Sequence, residues 1–168
     1  MFSSSTIGET TQFAAVPRTF MAFVNVPSGY SGRVGIMAGN NPNGNTINWE
    51  IHSNGKPRLY WNGGAVDWRV NTDVRTGTWK HVAFVVNQDG TEAKCYVDGI
   101  LVESRSGTFA SIVPSGATVI GGDHRAGNSQ AFKGQLKCVA FFSSALSASD
   151  VAQRSSDDCQ AMPLLLSQ

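Results

Sequence analysis

The sequence predicts an all-β protein, built as an antiparallel β-sandwich or barrel. Its 168 residues include 18 glycines and 6 prolines, and only 15% are charged, a composition typical of many turns and few solvated helices. Apolar and polar residues alternate along several segments, which is the period-two pattern of strands. Breaks rich in Gly, Pro and Asn recur about every ten residues, the spacing found in sandwiches and barrels.

The segment TINWEIH alternates most clearly. Ile47, Trp49 and Ile51 share one parity, so they are expected to face the core. Asn48 and Glu50 have the opposite parity, which predicts a wetter face. Val66, Trp68 and Val70 repeat this pattern around Asp67 and Arg69 in a later segment.

Two other segments, 20–26 and 81–86, are apolar on nearly both faces. Central strands that are covered on two sides have this pattern, so two layers are predicted. Two-residue hairpin turns are expected at Asn54-Gly55, Asp89-Gly90 and Asp98-Gly99, because these dipeptides accept a positive φ.

One short helix is predicted near the C-terminus, where Ser147 followed by Asp150 forms a capping-box pattern. The expected organisation is one domain with two arms. Residues 1–18 form an N-terminal arm or first strand, residues 19–154 the sandwich, and residues 155–168 a C-terminal tail.

Charge and hydropathy exclude several partners. The chain has 13 basic and 12 acidic residues, a net charge of +1. Such a small net charge produces no electrostatic field that would attract nucleic acid. No apolar run approaches the roughly 20 residues of a membrane-spanning helix, and no signal peptide is visible at the start. The cysteines are Cys95, Cys138 and Cys159. They are too few for a disulfide scaffold, which leaves either a Cys138–Cys159 bridge or three unpaired thiols.

A family resemblance is carried by TWKHVAFVVNQDGTEAKCYVDGILV at residues 78–102, by TVIGG at 118–122 and by FKGQLKCVAFFSSALSASDV at 132–151. These segments resemble laminin G-like, concanavalin A-like domains. The residues that carry the first segment's resemblance are Trp79, His81, Val82, Ala83, Tyr96, Val97, Asp98 and Gly99. The resemblance covers residues 19–151 and implies a jelly-roll sandwich of two curved antiparallel sheets.

The resemblance implies a recognition module, although some relatives hydrolyse β-glucans with an E-x-D-x-x-E run. No such run is present, since Glu50 is followed by His52 rather than by an acid. No nucleophile motif accompanies the histidines. His81 is expected to be packed and hydrogen-bonded, and His52 either faces a ligand or forms a polar pair with Glu50. A non-enzymatic protein is predicted, with glycoside hydrolase as the least favoured alternative.

The resemblance also implies a calcium ion at the rim of the sandwich. Carboxylates are missing at the corresponding positions, which hold Asn45, Thr46, Pro114, Ser115, Lys137 and Cys138. No cofactor is therefore expected. Asp123 and Asn128 offer a different calcium site or are simply turn residues.

Sugar recognition needs an exposed aromatic ring beside groups that bond hydroxyls. The candidate ligand-binding residues are Tyr60, Trp61, Asn62, Asp67, Trp68 and Arg69, with Asp123, His124, Arg125 and Asn128 in a later loop. Parity favours a core position for Trp61 and Trp68. It favours a surface position for Tyr60, Asp67 and Arg69.

Two functions remain open. The first is a decoration or display component of a larger assembly, such as a virion or surface particle, which docks on a protein lattice or on copies of itself and contacts glycans. Its apolar tail residues Leu164, Leu165 and Leu166 are candidate assembly contacts. The alternative is a secreted, soluble lectin-like carbohydrate-binding module.

Overall fold

The computed structural model describes residues 5–7, 18–41, 44–61, 65–109, 118–122 and 130–156, with the backbone alone at 5–7, 40–41 and 44–46. The strands are β1 (Ser5–Ile7), β2 (Thr19–Asn25), β3 (Val34–Asn41), β4 (Gly44–Ile51), β5 (Pro57–Trp61), β6 (Val66–Arg69), β7 (Lys80–Val86), β8 (Glu92–Val97), β9 (Ile100–Ser106), β10 (Thr118–Ile120) and β11 (Gln135–Phe142). Helix α1 spans Ala148–Ser156.

The strands form two antiparallel sheets. The six-stranded sheet has the order β1-β10-β3-β4-β5-β6, and the five-stranded sheet has the order β11-β2-β7-β8-β9. Strands β2 and β7 are neighbours inside the five-stranded sheet, as their apolar sequences predict. The architecture confirms the predicted all-β jelly-roll sandwich with one short C-terminal helix.

The core lies between the two sheets and is rich in aromatic side chains. The ring of Phe20 meets that of Trp61 at 5.9 Å between centroids and 85° between planes. Phe84 makes similar edge contacts with Trp49 at 6.5 Å and with Trp68 at 5.2 Å. Each such pair adds about 0.5–1.5 kcal/mol beyond the burial of apolar area. These contacts fix the spacing of the two sheets.

All three predicted turns join adjacent antiparallel strands, but the two-residue form is confirmed only for Asp98-Gly99. Asn54-Gly55 and Asp89-Gly90 lie in longer loops, between Ile51 and Pro57 and between Val86 and Ala93. The tightest is Asp98-Gly99 between β8 and β9, with φ angles of 51° and 78°. Two consecutive positive φ angles give the turn whose twist matches that of the flanking strands. Glycine is the residue best suited to the second of these positions.

Helix α1 covers the outer face of the five-stranded sheet. The predicted capping box is confirmed, because Asp150 N donates to Ser147 Oγ at 3.1 Å and Ser147 N donates to Asp150 Oδ2 at 3.2 Å. Val151 is buried in a second apolar cluster with Met21, Ala83 and other side chains of the sheet. The outer face of the six-stranded sheet has a different, polar character.

Several expectations concern the ends of the chain. Strand β1 pairs with β10, whereas the predicted tail is described only as far as residue 156. Cys138 is disulfide-bonded and Cys95 is a buried free thiol, so the alternative of three unpaired thiols is wrong. Cys159 and the candidate contacts Leu164, Leu165 and Leu166 lie outside the described residues. No helix in the described part is long and apolar enough to cross a membrane.

Candidate functional site

The outer face of the six-stranded sheet carries polar side chains from β4, β5 and β6. They alternate with core residues along each strand, so they point away from the interior of the sandwich. The strand register arranges them in two cross-strand rows: Asn48, Tyr60 and Asp67 in the first, and Glu50, Arg58 and Arg69 in the second. These six residues are called the polar face below.

One half of the polar face is buried. Asn48, Glu50 and Arg58 expose 2%, 0% and 7% of their surface. Arg58 Nη1 donates to Glu50 Oε1 at 2.9 Å, and Asn48 Nδ2 donates to Glu50 Oε2 at 3.2 Å. The expectation of a wetter face is therefore wrong for Asn48 and Glu50, and the buried carboxylate depends on these donors.

Backbone from a distant part of the chain lies over this half. Gly35 is the β3 neighbour of Glu50, and its N–H donates to Gln130 O at 2.8 Å. A Cβ on Gly35 would lie 2.5 Å from Gly122 O, which no side chain permits. The close approach of Gly122 requires glycine at position 35, and it contributes to the burial of the row that contains Glu50.

Arg58 links the buried half to the exposed half. Its Nε and Nη2 atoms donate to the two oxygens of Asp67 at 2.7 and 3.0 Å. This two-pronged bond raises the pKa of Arg58 and lowers the pKa of Asp67. A carboxyl with a lowered pKa is a poor general acid, so Asp67 does not suit the acid role that a glycosidase needs.

The other half of the polar face is accessible. Tyr60 is half-buried, and the side chains of Asp67 and Arg69 are 37% and 44% exposed. The Arg58 guanidinium carbon lies 5.0 Å from the centre of the Tyr60 ring, which helps to hold the ring in place. An aromatic ring flanked by a fixed carboxylate and a guanidinium can stack on a sugar and bond its hydroxyls.

Tyr60, Asp67 and Arg69 are brought together as neighbours on one face. Trp61 and Trp68 are corrected to core residues, with 0% and 2% exposure, and Trp68 Nε1 donates inward to Glu103 Oε1 at 2.6 Å. The remaining ligand candidates, Asn62, Asp123, His124, Arg125 and Asn128, lie outside the described residues.

Two arginines of this region were missed by the sequence reasoning. Arg58 has the same parity as Tyr60 on β5, and this pattern alone would have identified it as a candidate residue of the same face. Arg33, which is 35% exposed in its side chain, lies 3.9 Å from Glu50 Oε1. It precedes β3, and its approach to Glu50 depends on tertiary structure, so no local pattern identifies it.

The two described histidines differ in their surroundings. His52 Nδ1 lies 3.2 Å from Asn54 Oδ1, and its pKa is lowered, first by burial and further by the charges of Arg33 and Arg69. His81 is 1% exposed, and neither of its ring nitrogens has a hydrogen-bond partner in the described structure. The expectation that His81 is packed holds, but the expectation that its ring is hydrogen-bonded is wrong.

The described residues do not fit the calcium site implied by the resemblance. They contain no group of three or more His, Cys, Asp or Glu side chains that could hold a metal. At two of the corresponding positions, the Lys137 ammonium lies 4.7 Å from the centre of the Trp79 ring and Cys138 is disulfide-bonded. Neither supplies the oxygen ligand that calcium requires.

The chain matches the concanavalin A-like lectin/glucanases superfamily over residues 3–152, and it belongs to this superfamily. The match confirms the resemblance to laminin G-like, concanavalin A-like domains that the sequence motifs carry. No curated protein is a significant sequence match.

Three solved structures illustrate the shared fold. The native heptameric SAP-like pentraxin from Limulus polyphemus has a TM-score of 0.65 at 18% identity, covering 84% of this chain and 72% of its own. The CBM40 of Ruminococcus gnavus IT-sialidase, bound to α2,3-sialyllactose, has a TM-score of 0.69 at 14% identity, covering 92% and 97%. Domain 4 of AbnA, a GH43 extracellular arabinanase from Geobacillus stearothermophilus, in complex with arabinotriose, has a TM-score of 0.64 at 18% identity, covering 86% and 69%. At these identities the likeness concerns the fold.

Proposed function

We propose that this protein is a non-catalytic recognition module that binds glycans through the exposed half of its polar face. The observation that carries the proposal is the grouping of Tyr60, Asp67 and Arg69 on the outer face of the six-stranded sheet. The Tyr60 ring provides a stacking surface, and the two charged side chains provide an acceptor and donors for hydroxyl groups. The Arg58 contacts to Asp67 and Tyr60 fix this geometry before a ligand arrives, which lowers the entropic cost of binding.

The solved structures with this fold support the same class of function. The CBM40 structure and the arabinanase domain contain sialyllactose and arabinotriose. Fold does not determine function, so this support is secondary to the composition of the polar face.

A glycan array tests the proposal with the intact protein and its Tyr60→Ala variant. We expect the intact protein to be retained on one or more glycans and the variant to lose at least about 1 kcal/mol of binding, the usual contribution of an aromatic stacking contact. Trp79→Ala is the control, because Trp79 is an exposed aromatic residue (38%) that packs beside Lys137 of the five-stranded sheet. Melting temperatures should stay close to that of the intact protein. Absence of retention on every glycan, or equal losses in both variants, would refute the proposal.

A second candidate function, docking on another copy of this chain, is favoured by strand β9. This strand ends the five-stranded sheet, and among the described strands it pairs only with β8. Ile100, Leu101 and Val102 are consecutive and 69%, 49% and 38% exposed. Exposed apolar edge strands are templates for further pairing.

The charged residues of β9 do not prevent another strand from pairing with this edge. Glu103 accepts from Trp68 Nε1 and from Asn71 N, and Arg105 Nη1 donates to Asp67 O. Both side chains thus turn toward the neighbouring sheet. Antiparallel pairing about a two-fold axis at Leu101 would set Ile100 opposite Val102 of the partner subunit, with apolar side chains on both sides.

Sedimentation velocity from micromolar to near-millimolar concentration tests this second candidate. We expect the intact protein to dimerise as concentration rises and Leu101→Lys to remain monomeric, because a charge on the edge opposes pairing. Gln88→Lys adds the same charge in the exposed β7–β8 turn and should behave like the intact protein. An intact protein that stays monomeric throughout would contradict the candidate.

Decoration of a virion or surface particle remains a prediction from the sequence. The same holds for docking on a protein lattice through the C-terminal tail, for secretion, and for the domain bounds.

A further inference from the structure

We propose that the glycan bound at the polar face is acidic, and that its carboxylate binds Arg69. This inference rests on the proposed glycan-binding function and names the class of ligand. It starts from the balance of charge around the polar face. Three guanidinium groups, those of Arg33, Arg58 and Arg69, lie around two carboxylates, those of Glu50 and Asp67. Among the described residues of this region, one positive charge is therefore in excess.

The excess charge resides on exposed side chains. Arg58 is buried and directs Nε, Nη1 and Nη2 to the two carboxylates. Arg69 is 44% exposed, and its described contact with Asp67 uses Nη2 alone at 3.3 Å. A guanidinium has five N–H donors in a planar fork, so Arg69 retains donors that face solvent beside Tyr60 and Asp67.

The described charged groups nearby do not cancel this charge, since Glu103 and Arg105, which contact Trp68 and the Asp67 backbone, add one charge of each sign. The pKa of His52 is lowered by its burial, and the charges of Arg33 and Arg69 lower it further against the opposing effects of Asn54 and Glu50, so the neutral form of His52 is favoured. The lowered pKa of Asp67 keeps that carboxylate ionised against Arg58. The local balance therefore persists at neutral pH.

An acidic sugar suits this arrangement better than a neutral sugar does. A neutral ring seated on Tyr60 would remove water from the Arg69 guanidinium without supplying an opposite charge, which is unfavourable. A sugar carboxylate accepts two parallel N–H bonds from the fork of an arginine. The hydroxyls of the same sugar can donate to free lone pairs of Asp67. Together these contacts select a glycan with a terminal or repeated uronic or sialic acid.

The test compares matched glycans that differ only in this charge. Oligosaccharides of galacturonic acid, and lactose derivatives ending in N-acetylneuraminic acid, are presented to the intact protein as free acids and as methyl esters. We expect one free acid to bind at least about tenfold more tightly than its ester, corresponding to about 1.4 kcal/mol. Arg69→Gln should remove this preference, and Arg69→Lys should restore part of it. Arg154→Gln serves as the control, because Arg154 lies on helix α1, which covers the outer face of the five-stranded sheet.

Each outcome bears on a separate claim. Equal binding of acid and ester by the intact protein would overturn the acidic-ligand inference and leave the proposed glycan binding in place. A preference that survives Arg69→Gln would overturn the role of Arg69. Failure to bind either member of any pair, or any neutral glycan, would overturn both this inference and the proposed function.

Discussion

His81 is a buried polar side chain whose ring has no hydrogen-bond partner among the described residues, an arrangement that disfavours its charged form. Its ring packs against that of Phe23, 4.9 Å away between centroids. Burial lowers the pKa of His81 from 6.5 to about 4, and the charge of Asp98 only partly opposes this effect. Because the unfolded chain binds a proton at a higher pH than the folded chain does, protonation favours unfolding.

Acidification should therefore destabilise the protein. As the pH falls from about 6.5 to about 4, His81 binds a proton in the unfolded state but not in the folded state. We expect a loss of about 3 kcal/mol across this window. Urea unfolding at several pH values, compared between the intact protein and His81→Leu, measures the contribution. The unfolding free energy of His81→Leu should decrease much less over the same pH range. Parallel pH dependences in the two proteins would exclude His81 as the cause.

Residue parity predicted the direction of side chains better than it predicted their burial. It correctly separated the core positions of Trp61 and Trp68 from the outward positions of Tyr60 and Asp67. It failed for Glu50, because the backbone over that row comes from Gly122 and from residue 130 rather than from adjacent strands. Local alternation contains no information about distant segments that cover a sheet.

At the scale of elements, a network of charged side chains joins three neighbouring strands. Arg58 of β5 binds Glu50 of β4 on one side and Asp67 of β6 on the other. Glu50 is fully buried, whereas Asp67 is partly exposed. The contact with Glu50 should therefore contribute more to folding, since an unpaired buried charge is costly.

Replacement of this central arginine should destabilise the six-stranded sheet. We expect Arg58→Met to lose about 3 to 5 kcal/mol of unfolding free energy, because it leaves the buried Glu50 carboxylate without its nearest cation and only Arg33 at 3.9 Å. Arg69→Gln, on an exposed position of the adjacent strand, should change stability by less than about 0.5 kcal/mol. Chemical denaturation of both variants measures the difference. Similar small losses would indicate that the burial of Glu50 does not depend on Arg58.

Prediction succeeded for elements whose signals are local. The Asp98-Gly99 turn and the cap at Ser147 each depend on a few adjacent residues, and both were found in the sequence. The pairing of β10 with β3 and of β11 with β2 joins segments far apart in the chain. No residue pattern specified those partners, although the family resemblance implied the jelly-roll architecture that contains them.

At the scale of the whole molecule, the two outer faces of the sandwich differ in chemical character. Helix α1 and its apolar cluster cover the five-stranded sheet, whereas the six-stranded sheet presents the polar face. A net charge of +1 provides little long-range attraction for polyanions. Recognition of an acidic glycan would therefore depend on the local geometry of Arg69, Asp67 and Tyr60.

Native-state hydrogen exchange should show that backbone amides are protected in the central strands and exchange readily in the edge strand β9. Strands β2 and β7 are buried on both faces and paired on both sides, so their amides should exchange only through global unfolding. Strand β9 is exposed and paired on one side, so its amides should exchange through smaller openings. If β9 docks on a second copy, its protection should increase with protein concentration in the intact protein but not in Leu101→Lys. Protection of β9 equal to that of β7 at the lowest concentration would contradict the assignment of β9 as a free edge.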